Sequence, residues 1–126
     1  SVAGAAPKQG LVTAADRTEA RIAVMPFDAL GHEEPSKYVI LGLLDEVTCR
    51  LARLQSLSVI SSNSTRGYLG LSHDFGELSQ ALNVQYIVLG SIRRRLDRAA
   101  INVQIVDSQT QNVVDARVHR KSLQVL

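Results

Sequence analysis

Three histidines, one cysteine and one dense run of arginines are the residues whose chemistry could carry a function. His32, His73 and His119 fall in a loop, ahead of a helix and on a terminal strand. None has a second ligand at the spacing a metal site uses. The pattern supports exposed or locally hydrogen-bonded imidazoles, and neither a metal nor another cofactor is expected. Cys49 has Arg50 and Arg53 nearby, which would favour a thiolate. No base or resolving cysteine accompanies it, so a partly packed structural thiol is expected. No nucleophile, base and orienting group form a constellation, and the chain is expected not to be an enzyme.

Two polar stretches could bind something. The first is SSNSTRGYLGLS, residues 61–72. Ser61, Ser62, Asn63, Ser64, Thr65 and Arg66 could donate hydrogen bonds to an anion. They also follow a strand on the side of the sheet where open α/β folds bind ligands. The stretch lacks the glycine spacing and lysine of a phosphate loop, and the plainer reading is a surface connection held by its own polar groups. The second is the basic cluster Arg93, Arg94, Arg95 and Arg98. Alternate residues of a strand point to opposite faces, so this run does not make one patch by itself. A solvated hairpin tip is the default; contact with an acidic neighbouring domain is the alternative. Nucleic acid would call for more positive charge and interleaved aromatics.

Composition limits what can position these groups. A chain of 126 residues, 45% hydrophobic and 21% charged, suits one globular domain with its own core. No apolar run approaches the ~18 residues of a membrane span. One cysteine excludes a disulfide framework, and a net charge of +2 gives no bulk attraction to nucleic acid or membranes. Aromatics at 4%, with no Trp, exclude stacking platforms.

Residues 1–20 are small and polar without a sustained period and read as a linker; residues 21–126 read as the domain. RIAVMPF from Arg21 suits a strand buried on both faces, ending where Pro26 removes a donor. Ser36 can cap a helix over 37–54, with Ile40, Leu43, Leu44, Val47, Leu51 and Leu54 as its apolar stripe. LSVI over 57–60 is a second strand. Asp74 and Glu77 have capping-box spacing for a second helix, which carries Phe75, Leu78, Ala81 and Leu82 inward and stops at Asn83. NVQYIVLGSIRRR, AAINVQIVD and VVDARVHR then give three strands joined by turns at Asp97–Arg98 and at SQTQN. The order is βαβαβββ. If the second and third strands flank the first, right-handed crossovers put the two helices on opposite faces of a mixed sheet.

These segments resemble the TolB N-terminal-like domain of bacterial regulators, from Arg21 to Leu123. RIAVMPF matches the family's AVLPF strand, and LSVIS with SSNSTRGYLG matches its VIARTSS-and-YKG loop. NVQYIVLGSIRR and INVQIVDSQT match its GVRYVLEGSVRR strand and RITAQLID hairpin. Three family positions differ: Leu41 stands where an acidic residue precedes the helix glycine, Gln111 where the last hairpin often has Gly, and Asp115 where Trp often follows. The resemblance implies an anticodon-binding-like three-layer α/β sandwich with a five-stranded sheet of order 2-1-3-4-5. It also implies a non-catalytic regulatory or scaffolding role beside a class III adenylate/guanylate cyclase or winged-helix domain and tetratricopeptide repeats.

The expected function is therefore an interaction module of a larger bacterial signalling protein. The alternative is a small-ligand sensor using residues 61–72. The expected partners are adjoining domains of the parent chain or a second copy, with no nucleic acid and no membrane insertion. Val114, Ala116 and Val118 should line one face of the last strand and Asp115, Arg117 and His119 the other. Arg93, Arg95, Asp115, Arg117, Val118 and His119 are the candidate contact residues. A cytoplasmic location is expected, or a periplasmic one if a membrane span precedes Ser1 in the parent.

Overall fold

The computed structural model describes residues 19–31, 35–71 and 74–122. His32, His73, Ser72 and most of the expected linker lie outside the described residues. The sheet begins with β1 (Ala20–Val24). Ile22 and Val24 point into one core, Ala23 and Met25 into the other. Two buried faces explain why this strand is apolar without alternation. Met25 N donates to Val88 O at 3.0 Å, and Pro26 then interrupts the pairing. After the interruption the chain rejoins the sheet as β2 (Asp28–Leu30), opposite Ser91, Ile92 and Arg93. This sixth strand is an addition to the five read from sequence. Three residues carry no periodicity of their own, and it forms because its neighbour is already extended beside it.

Ser36 caps α1 (Lys37–Ala52), its Oγ accepting from Val39 N at 3.3 Å. Ile40 and Leu44 are buried against Ile22, Val24 and Val88, while Leu43, Val47 and Leu51 pack at the margin of that core. Leu54 is not part of the buried stripe: the helix ends at Ala52 and Leu54 is 50% exposed. Glu46 and Arg50 form the i,i+4 pair at 3.1 Å.

β3 (Leu57–Val59) runs parallel to β1 on its outer side. The connection after it is ordered as α2 (Ser62–Thr65) and a 3-10 turn, Arg66–Tyr68. Asp74 caps α3 (Phe75–Leu82), with its Oδ1 accepting from Glu77 N at 3.0 Å. Asn83 ends the helix at φ 52°, and Arg21 Nε donates to its carbonyl at 2.7 Å. α3 packs through Leu78, Phe75 and Leu82 on the face opposite α1. Ala81, expected inward, is exposed, because the short helix meets the sheet only along that narrower stripe.

β4 (Tyr86–Arg95), β5 (Arg98–Asp107) and β6 (Val113–Ser122) complete the sheet as antiparallel neighbours. The order is β3-β1-β4-β5-β6, with β2 beside the far half of β4. The result is a three-layer α/β sandwich with one helix layer on each face. Ile101, Val103 and Ile105 pack toward the α1 core, as their alternation requires.

Both hairpin turns use non-glycine residues at positive φ, Leu96 at 56° and Gln111 at 62°. In the second, Asp107 accepts from Gln109 N at 2.8 Å and Thr110 N at 3.0 Å. Those backbone donors, Thr110 first, hold its carboxyl below the ordinary Asp range. Left-handed backbone disfavours residues with a Cβ. Gln111→Gly should therefore raise stability by about 0.5–1 kcal/mol after allowing for glycine's greater freedom when unfolded. Urea unfolding measures this, and an unchanged or lower midpoint would show that Gln111 carries no strain.

Candidate functional site

The residues of the polar connection are largely occupied with one another. Ser61 Oγ accepts from Asn63 N at 3.1 Å and caps α2. Thr65 is fully buried, and its Oγ1 donates to Ser62 O at 3.4 Å. Arg66 Nη2 reaches Asp45 of α1, 3.1 Å from Oδ1 and 3.3 Å from Oδ2. Ser62 first, and then Arg66, lower the affinity of the Asp45 carboxyl for its proton, opposed by partial burial. Ser61, Ser62, Thr65 and Arg66 thus fasten the connection to itself and to α1. The hydroxyl and guanidinium groups that an anion would need are turned to structural use, leaving Asn63 and Ser64 outermost.

The far side of the sheet is built differently. All ten residues of β6 are exposed, and β5 is its sole strand partner among the described residues. Register decides which side chains meet. Val118 lies opposite Asn102 and Ala116 opposite Gln104, which in turn face Ser91 and Leu89. These residues share the α3 side of the sheet, beyond the reach of α3, and border a shallow groove of about 310 Å³. Asn102 Nδ2 donates to Ser91 Oγ across it at 3.3 Å. Asp115, Arg117 and His119 lie opposite Ile105, Val103 and Ile101 and so belong to the α1 side. Arg117 Nε sits 3.6 Å from Asp115 Oδ2 along that strand face, an exposed pair of little energetic weight.

Of the candidate contact residues, Arg93, Arg95 and Val118 are therefore brought to one face, and Asp115, Arg117 and His119 to the other. Arg98, part of the basic cluster read from sequence but not of the contact residues, and Arg120, part of neither, join Arg93 and Arg95. Their signal lay in register: a two-residue turn at Leu96 and Asp97 aligns Arg95 with Arg98, whereas a turn at Asp97–Arg98 hides the alignment. Among the described residues no group of three His, Cys, Asp or Glu is placed to hold a metal ion. No helix among them is long and apolar enough to cross a membrane, a statement that leaves β-barrels untouched.

Comparison with known proteins adds context. Residues 52–122 match the profile of the family described as "FlgO protein". "Putative adenylate cyclase 3" of Rhizobium meliloti (strain 1021) is 35% identical over 89 residues, which are 71% of this chain and 15% of that relative. The chain thus corresponds to a small part of that protein's length. Among solved structures, lipoprotein GNA1162 from Neisseria meningitidis superposes with a TM-score of 0.64 at 14% identity, covering 82% of this chain and 80% of that one. The LpoB C-terminal domain from Escherichia coli gives 0.62 at 13% identity, covering 84% of each chain. At such identities the likeness is one of fold. It leaves function to be argued from the exposed face.

Proposed function

The chain belongs to the FlgO protein family, and from that premise we propose that it is a non-catalytic interaction module, a regulatory or scaffolding part of a larger bacterial signalling protein. The single observation that carries this reading is β6: among the described residues, an edge strand of ten residues, exposed throughout, bordering a sheet face that neither α1 nor α3 covers. An uncovered edge presents unpaired backbone groups, and soluble folds normally blunt such edges or use them for association. Here the mixed charges of Asp115, Arg117 and His119 oppose indiscriminate pairing, while Val113, Ala116 and Val118, opposite Val106, Gln104 and Asn102, offer an apolar row on the other side. The expected place of Val114 in that row is taken by Val113, because a bulge puts Val114 out of register. The edge is built for a selective contact.

The rhizobial relative supports the setting, since its name places a domain of this kind inside a far longer protein called an adenylate cyclase. We extend that setting to this chain: residues 21–126 form the module, and residues 1–20 link it to an effector domain in the cytoplasm. The internal engagement of Ser61, Ser62, Thr65 and Arg66 favours this reading over a small-ligand sensor.

Arg117→Glu and Val118→Pro test it. Each should weaken association with the adjoining domains, or self-association, when mass in solution and pull-down are compared with the parent while circular dichroism confirms folding. If both variants remain folded and associate like the parent, β6 is not the interface.

A further inference from the structure

Four arginines from three strands converge on the α3 side of the sheet, at the end farthest from α3. Arg93 lies opposite Ala100, which lies opposite Arg120. Arg95 lies opposite Arg98, which lies opposite Ser122. Arg94 and Lys121, one position along, go to the other face. All four arginines are exposed, and together with Ala100 and Ser122 they border one open cavity of about 490 Å³. The small side chains of Ala100 and Ser122 leave its floor low.

None of the four is ion-paired among the described residues; the pairs found there are Arg50–Glu46, Arg66–Asp45 and Arg117–Asp115. Among the described residues Asp28, opposite Ser91, and Asp97, in the turn, are the acidic groups nearest in register, and neither forms a pair with them. Like charges side by side on a sheet repel, so the fold alone gains nothing from this arrangement. An occupant bearing carboxylates would relieve it, because guanidinium forks match carboxylates two-pronged.

The cationic cavity lies beside the groove along β6: Arg93, Ala100 and Arg120 border the one, and Ser91, Asn102 and Val118, two positions along the same strands, border the other. On that face Ala116 and Val118 are followed by Arg120, two residues apart each time, while Val113, opposite Val106, continues the apolar row past a bulge that takes Val114 out of register. Alternate side chains of an extended chain recur every ~7 Å, as Arg93 and Arg95 do on β4. We propose that this face takes an extended segment of a protein partner, paired along β6, whose alternate side chains are small and apolar at one end and carboxylates at the other. The apolar half distinguishes this occupant from nucleic acid, whose phosphates would find no counter-charge over Val113, Ala116 and Val118. The inference rests on the docking reading above and specifies the partner's chemistry.

The probe is a labelled peptide, Ser-Val-Ser-Val-Ser-Glu-Ser-Glu, titrated into the 126-residue chain and followed by fluorescence anisotropy. A shuffled peptide of the same composition, a duplex oligonucleotide and phosphatidylglycerol vesicles serve as comparisons. The patterned peptide should bind tightest, and Arg93→Glu with Arg120→Glu should weaken it about tenfold or more. Arg94→Glu with Arg53→Glu, the same change of charge on the α1 side of the sheet and away from this cavity, should leave it nearly unaltered. Arg93→Gln with Arg120→Gln should fall between, with a shallower dependence on salt. Equal loss in the two Glu pairs, tighter binding of the duplex or the vesicles, or no discrimination from the shuffled peptide would overturn the assignment. If Val118→Pro abolishes partner association while the arginine reversals leave it intact, docking at β6 stands and the arginine assignment falls.

Discussion

Leu44→Ala should cost about 2–5 kcal/mol of folding stability, the range for emptying a leucine-sized space in a core that relaxes only in part. Leu44 is wholly buried at the centre of α1, packed with Ile22, Val24, Ile40 and Val88. It therefore reports directly on whether α1 covers this face of the sheet. Leu51, about two turns on, lies at the margin of the same cluster, so Leu51→Ala should lose about half as much. Chemical denaturation of the two variants gives both the size and the gradient. Equal losses, or a loss at Leu44 below roughly half a kcal/mol, would contradict the packing described.

Gly90→Ala should be the more unusual lesion, because it adds one methyl group where none fits. A Cβ at this position would lie 2.7 Å from Cε2 and Cζ of Phe27 and 2.8 Å from the carbonyl oxygen of Asn102. The ring could shift, but the carbonyl belongs to the ladder opposite and cannot move without disturbing β5. Overpacking of this kind costs about 1–3 kcal/mol, occasionally more. Phe27→Leu should recover part of the loss, since it removes the ring that the new methyl meets first. In a double-mutant cycle the two changes should be coupled; strict additivity would mean that Phe27 does not lie over Gly90. The glycine thus serves a close approach: it lets the ring of Phe27, just past the Pro26 interruption, pack directly against the β4 backbone.

Much of this architecture was legible because local chemistry and tertiary structure agree. Ser36, Asp74 and Asn83 mark helix ends by capping chemistry that needs no distant partner. β1 is apolar on both faces because it is central, and β5 alternates because its two sides differ. The rest depends on long-range placement. β2 is three residues long and extended by courtesy of β4. The SNST of α2 is turn chemistry as much as helix chemistry, and Thr65 is buried only because α2 folds back onto the domain. The arginine face required the register of three strands, set partly by Leu96 at φ 56°, where the Asn or Gly that usually signals such a turn is missing. Alternation separates Val118 from Asp115, Arg117 and His119 on β6, but only the register of β4, β5 and β6 puts Arg93 and Arg95 on the side of Val118.

The central claim is that β6 and its uncovered face are where this domain meets its partner. Amide hydrogen exchange read on the parent protein and on the 126-residue chain alone tests that most directly. In the isolated chain β6 should exchange faster than β4, which has a strand on each side. In the parent, Val113–Ser122 should become protected, while the connection over residues 61–71 stays unchanged. Protection at that connection, with β6 exchanging equally fast in both, would contradict the account.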